Sequence, residues 1–225
     1  MKARVIPNQQ IIKNFKANIP PAETRLQNSL RAAVLILLIP TTTTDGKETF
    51  EILLTKRTDT IKNAGEICLP GGKMEEKDKD IIATAYREAY EEVGLPANAA
   101  QYLTHLRPFV SRQQIHVTPV VSLLVESWKP KPNPHEVADV FTLPFSDFIL
   151  NGDHHSFVDI TWYKIPYRLH HFQRNERFVF GFTANVLVEA ARIGYGQEPG
   201  FRRKAPGQLG WKKLNVIILK HRSSL

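Results

Sequence analysis

The stretch REAYEEVG, residues 87–94, crowds three glutamates onto two helical turns of a chain whose formal net charge is +8. Around it Ile82, Ala85, Tyr86, Ala89 and Val93 recur at i, i+3, i+4, i+7 and i+11, one apolar stripe of a 3.6-residue helix. Asp78 or Asp80 can cap its start, and Gly94 can end it. Glu88, Glu91 and Glu92 stand at i, i+3 and i+4, so they project from one side of the helix, next to the stripe. Each like-charge pair at that spacing costs roughly 0.2–0.5 kcal/mol, and the cost grows as the face is buried. Arg87 reaches Glu91 at i, i+4 and orients it. A hard divalent cation relieves the rest, because Mg²⁺ or Mn²⁺ takes oxygen ligands, keeps several waters and is commonly shared with substrate phosphates.

The surrounding chain supplies a scaffold for such a helix. RAAVLILLIP and TFEILLTKR are strand-like runs joined by TTTTDGKE, whose Asp45-Gly46 step predicts a tight β-hairpin turn. The next stretch reads as a loop with a short strand over residues 66–69, ending in Pro70-Gly71-Gly72, whose backbone can approach a ligand closely. After the acidic helix, HLRPFVS and HVTPVVSLLVES read as strands, and EVADVFTLPFSDFIL as a strand followed by a short helix. A second helix carries Val186, Leu187, Ala190 and Ile193 at helical spacing. Hairpins around two amphipathic helices predict an α+β fold, an α/β/α sandwich with a mixed central sheet.

Composition narrows the function classes. The longest apolar run, Ala32–Pro40, is far short of the roughly 20 residues a membrane-spanning helix needs, and reads as a buried strand. The amino-terminal stretch lacks an apolar signal region, so a cytoplasmic location is expected; the final SSL lacks the basic middle residue of a peroxisomal address. Cys68 is the only cysteine, which excludes an internal disulfide and reads as a buried, inert thiol. A sequence pI near 9.6 points to an anionic partner. The basic clusters at 201–204 and 211–213 read as solvated surface, the histidine pairs at 154–155 and 170–171 as surface or loop residues, and Trp162 and Trp211 as packing residues.

Joined to the Pro-Gly-Gly turn, Arg-Glu-x-x-Glu-Glu-x-Gly resembles the Nudix hydrolase family. Gly72 matches the opening glycine of its box, and REAYEEVGL, residues 87–95, matches the second half. Fourteen residues, 73–86, separate Gly72 from Arg87, one more than the family spacing. The early glutamate of the box therefore falls on Lys79, with Asp78 and Asp80 on either side. LLTKRTDTIKNAGEICLPGGK, residues 53–73, resembles the signature of the coenzyme A pyrophosphatase branch, with Thr58 in place of serine, Leu69 in place of phenylalanine and Lys62 the spacer's only cation. The likeness runs over roughly residues 30–195. It frames a helical extension at 1–28, a Nudix domain at 29–200 and a basic tail at 201–225.

The resemblance implies hydrolysis of a diphosphate in coenzyme A or an acyl derivative. Glu88, Glu91, Glu92 and the Gly72 carbonyl are then candidate ligands for Mg²⁺ or Mn²⁺. Glu91 is also a candidate for orienting water, Arg87 positions the carboxylates, and Glu136 on the Pro-rich connection is a candidate base. Lys56, Arg57, Gly71 and Lys73 are candidate substrate contacts. The expected partner is a small nucleotide, coenzyme A-like, with no membrane, no favoured role for nucleic acid, and a homodimer left open. Two other readings stand beside it: a Nudix pyrophosphatase for NADH or dinucleoside polyphosphates, and a module that binds RNA or nucleotide without cleaving it.

Overall fold

The computed structural model describes residues 3–19, 30–59, 63–210 and 213. In chain order the elements are α1 (Asn8–Ala17), β1 (Arg31–Thr42), β2 (Glu48–Arg57), β3 (Ile67–Cys68), β4 (Gly71–Lys73), α2 (Ile81–Val93), β5 (Ala100–His105), β6 (Phe109–Val110), β7 (His116–Leu124), β8 (Val137–Pro144), β9 (His155–Trp162), β10 (Ile165–Arg174), β11 (Arg177–Phe180) and α3 (Gly181–Tyr195). Short 3₁₀ turns precede β5 and follow β8.

The run at 32–38 shows no apolar alternation because β1 is covered on both faces. Ala33, Leu35 and Leu37 pack with Ile81, Ala85, Ala89 and Val93 of α2. Ile36 and Leu38 pack on the other face with Ile11 and Phe15 of α1 and with Val186, Leu187 and Ala190 of α3. The fold is therefore the expected α+β sandwich. Its central sheet runs β3-β2-β1-β7-β5, with β8 on β2, β4 on β1 and β6 on β7. It is mixed, since β1 is antiparallel to β2 and parallel to β7.

The predicted hairpin forms, with Leu38 opposite Ile52 and Thr42 opposite Glu48. Beyond Leu38 and Ile52 the two strands part. The freed edge of β1 pairs with β4, Ala33 opposite Gly72, and β2 pairs with β3, Thr55 opposite Cys68. The glycine turn thus sits in the gap between β1 and β2, directly beneath α2.

A second, three-stranded sheet, β11-β10-β9, was not read from the sequence. Along the part of β10 that β11 does not reach, Asn185 of α3 stands in for a strand: its amide accepts from the His170 N–H at 3.0 Å and donates to the Arg168 carbonyl at 2.8 Å. This sheet corrects the reading of His155, His170 and His171 as surface or loop residues, whereas His154 does lie in a turn. His155, His170 and His171 are strand residues, His170 is 1% exposed, and His155 Nε2 lies 2.9 Å from His170 Nδ1. Phe201 stacks on His155 at 3.8 Å between ring centroids, which is how an imidazole pair is accommodated there. Residues 202 and 203 lie along β10, their carbonyls meeting Arg168 Nη1 and His170 Nε2 at 2.7 and 3.1 Å. Trp162 packs beside Ile165 and Tyr167. Trp211 and Lys62 lie outside the described residues.

Candidate metal and diphosphate site

Helix α2 begins where the Asp80 carboxylate accepts the Ala83 N–H at 2.7 Å and ends at Gly94, whose φ of 68° favours glycine. The aspartate two residues earlier does something different. The Asp78 carboxylate is buried and accepts from Arg87 Nε at 2.9 Å, Arg87 Nη2 at 3.0 Å, the Glu75 N–H at 2.9 Å and Thr84 Oγ1 at 3.0 Å. The residue inserted in the box therefore separates two roles: Asp78 anchors Arg87, and Asp80 caps the helix. The bond to Arg87 is the main reason the Asp78 carboxyl lies far below the usual carboxylate range.

Arg87 is the hub of the acidic side. Its Nη1 donates to Glu88 at 2.9 Å and Glu91 at 2.8 Å, and its Nη2 donates to the Lys73 carbonyl at 2.9 Å. Helix and glycine turn are thereby locked in register. Glu91 is held toward Arg87 with its side chain 44% exposed, and Lys77 lies 3.8 Å away, so Glu91 occupies the rim.

Glu88 and Glu92 turn inward. A Cβ on Gly71 would overlap the Ala33 carbonyl, so that glycine is demanded by contact distance, whereas one on Gly72 would overlap only the Glu88 carboxylate, which is seated against it. Burial raises the Glu88 pKa, with Arg87 opposing. Glu92 is 4% exposed, and its Oε2 is buried without a hydrogen-bond partner. Burial, then repulsion from Glu88, pushes its carboxyl up to about 8, with Glu136 adding to the rise and Arg57 and the Gly71 N–H opposing it.

Glu136 sits on the Pro-rich connection, exposed, and raises the pKa of both inward glutamates. Its place is set by the backbone: Thr58 N–H donates to the Glu136 carbonyl at 3.0 Å, and Asn133 N–H to the Glu92 carbonyl at 2.8 Å. Arg57 ends β2 where the β2–β8 register shifts, and its charge acts on both Glu92 and Cys68. Burial raises the Cys68 thiol, the state expected of an inert cysteine, and Thr55 Oγ1 lies 3.3 Å from its sulfur. Lys56 and Lys73 are exposed at the ends of β2 and β4.

Among the described residues no three acidic, imidazole or thiol side chains already converge on one ion-sized point. What the site offers is an all-oxygen donor set: an unpartnered, buried Glu92 Oε2, a Glu88 carboxylate seated on Gly72, and the glycine backbone of β4 beside them. A hard divalent cation fits that set, since it supplies the missing partner of Glu92 and reverses the electrostatic cost of placing Glu88 beside it.

The NUDIX domain family matches residues 29–166, more than half of the chain. The chain belongs to the Nudix family. This Nudix chain is 38% identical over 183 residues to Nudix hydrolase 15, mitochondrial, of Arabidopsis thaliana, covering 78% of itself and 62% of that protein. It is 35% identical to Nudix hydrolase 22, chloroplastic, of the same plant, covering 89% of itself and 66% of the relative, so it spans about two thirds of these relatives' length. Uncharacterized Nudix hydrolase NudL of Photorhabdus laumondii is 34% identical over 84% of this chain and 98% of its own. A solved MutT/nudix family protein from Enterococcus faecalis is similar at a TM-score of 0.46 and 13% identity, over 83% of this chain and 74% of that one. Among the described residues no helix is long and apolar enough to cross a membrane.

Proposed function

We propose that this Nudix chain is a divalent-metal-dependent diphosphatase of small nucleotide-derived substrates, and that its substrate is coenzyme A or an acyl derivative. The observation that carries the proposal is the inward pair: Glu92, almost fully buried with one oxygen unpartnered, beside a Glu88 carboxylate pressed onto Gly72. A purely binding fold has no use for such a destabilised pair.

Glu88 and Glu92 would hold Mg²⁺ or Mn²⁺, with the Gly72 carbonyl and the rim carboxylate of Glu91 as further oxygen donors. When bound, such an ion neutralises diphosphate charge and lowers the pKa of a coordinated water. Arg87, itself fixed by Asp78, keeps Glu88 and Glu91 from swinging into solvent. Arg57, Lys56 and Lys73 bring positive charge to the substrate phosphates, the adenosine 3′-phosphate of coenzyme A included. Glu136 takes the proton of the attacking water from the connection that faces both inward glutamates. The stretch at 53–73, with its resemblance to the coenzyme A branch, supports that substrate over other diphosphates.

The test is incubation with coenzyme A and Mg²⁺ or Mn²⁺, followed by product analysis. 4′-Phosphopantetheine and adenosine 3′,5′-bisphosphate are expected in equal amounts. Intact coenzyme A beside turnover of NADH or a dinucleoside polyphosphate would move the substrate while keeping the site.

A further inference from the structure

On the α3 side of the sheet a cavity of about 140 Å³ opens between β10, α3 and residues 203–210. Its floor is Glu189, 5% exposed, which accepts from Arg107 Nη2 at 2.6 Å, Arg192 Nη2 at 3.0 Å and Arg203 Nη1 at 3.2 Å. That one carboxylate is fully used by these partners. The cavity wall also carries Lys204, which is exposed and has no carboxylate partner among the described residues. Arg107, Arg203 and Lys204 against Glu189 leave the wall with two positive charges in excess; Glu198, the other acid near Arg203, is itself largely exposed. Phe109, Val188 and Leu209 form the apolar part of the wall, and Tyr167, His170, Asn185 and Gln208 add polar groups to it. An engineered apolar cavity of about 150 Å³ accepts benzene, which sets the scale of what fits.

We propose that this pocket binds a compact organic anion, an apolar body of about benzene size bearing one carboxylate or phosphate, with its charge between Arg107, Arg203 and Lys204. The apolar body lies on Phe109, Val188 and Leu209, and the anion offsets the surplus positive charge that Glu189 leaves. This binding does not rest on the hydrolase reading, because none of these residues belongs to the acidic site.

The full chain is titrated with benzoate in the presence of a chelator, by calorimetry and thermal shift, with benzyl alcohol as the uncharged probe of similar shape. Saturable benzoate binding is expected, about tenfold weaker in Lys204→Gln, unchanged in Lys13→Gln on the exposed side of α1, and at least about tenfold weaker for benzyl alcohol. Benzoate binding that is absent, or equal in all three proteins, overturns the proposal, as does equal binding of the alcohol. A peripheral arm of the hydrolysed substrate and a separate small effector share this chemistry. Benzoate that raises KM at constant kcat identifies the former, and binding without any effect on KM identifies the latter.

Discussion

Two buried glutamates on the two long helices make opposite use of the same side chain. Glu92 on α2 is 4% exposed and Glu189 on α3 is 5% exposed. Glu189 has guanidinium groups from Arg107, Arg192 and Arg203 around it. Burial pushes its pKa up, but the bond to Arg192 and the three charges together bring it below the ordinary value. Glu92 has an oxygen with no partner and a like charge at Glu88, and its carboxyl is pushed up to about 8. A buried carboxylate whose bonds are complete holds structure together, whereas one left short beside a second acid marks where a cation belongs.

Glu92→Gln gives the largest expected effect. The rate of diphosphate hydrolysis should fall about 10²–10⁴-fold. The metal-free protein should meanwhile become more stable at neutral pH. With a folded pKa above the unfolded one, Glu92 favours the folded state fully only below about pH 4.5, and that stability is lost as pH rises through about 8. Near pH 7 the relief is on the order of a few kcal/mol. Melting curves in a chelator, run beside steady-state rates, check both halves. A drop in melting temperature would break the contrast at its centre.

Glu189→Gln should do the reverse. Three partly exposed arginines lose their common buried partner, and losing charged hydrogen bonds of this kind costs about 1.5–3 kcal/mol. Urea denaturation measures it, and kcat well below the melting temperature should stay within about twofold, as expected for a change remote from the reacting groups. A kcat loss comparable to that of Glu92→Gln would mean that the two carboxylates are not separable in role.

How far these roles could be read from the chain differs between the two regions. In α2 the helical period, the glycine stop and the spacing of the acids coincide, so the helix, its buried stripe and its acidic side were legible. The division of labour along that side was not. Glu91 and Glu92 are neighbours in sequence, yet one turns to Arg87 at the rim and the other sinks under Gly71, a difference set by the path of the glycine turn. The same holds for Asp78 and Asp80, whose roles depend on where the loop places each carboxylate relative to Arg87. The second sheet hid for another reason. The inward positions of β10 include Arg168 and His170, so its buried face looks polar in sequence. Arg168 can be buried because Asp159 accepts from it at 2.7 and 2.8 Å and its guanidinium lies 3.6 Å over Phe157.

Gly72→Ala sharpens the contrast from the turn side. The added methyl group displaces only the end of a flexible side chain, so stability should change by less than about 1 kcal/mol, as for an ordinary surface change. The Glu88 carboxylate, however, must leave its seat. Hydrolysis should fall about 10–100-fold, and the Mg²⁺ concentration for half-maximal rate should rise, as expected when one oxygen donor is misplaced. A loss of kcat with no change in metal requirement would remove Glu88 from the donor set.

The smallest effect concerns acid stability, and it has to be separated from that of Glu92 because the two have opposite signs. Burial, with His170 adding, pushes His155 down to about 3; burial pushes His170 down to about 4. Unfolded, both titrate near 6.5, so below that pH the unfolded chain takes up protons that the folded chain refuses, and stability present above pH 6.5 is lost as pH falls toward 4. At pH 5 the loss is on the order of 1–2 kcal/mol per imidazole. Over the same interval Glu92 keeps its proton in the folded chain and loses it in the unfolded one, so its contribution falls as pH rises and masks the slope in the natural chain. In the Glu92→Gln background the descent from pH 7 to 5 should therefore steepen. Adding His155→Phe, which keeps a flat ring against Phe201 and Phe172, should flatten it again by about one imidazole's share. An unchanged slope on removing His155 would mean that the imidazole pair is protonated in the folded chain, and that the polar face of the second sheet is wet.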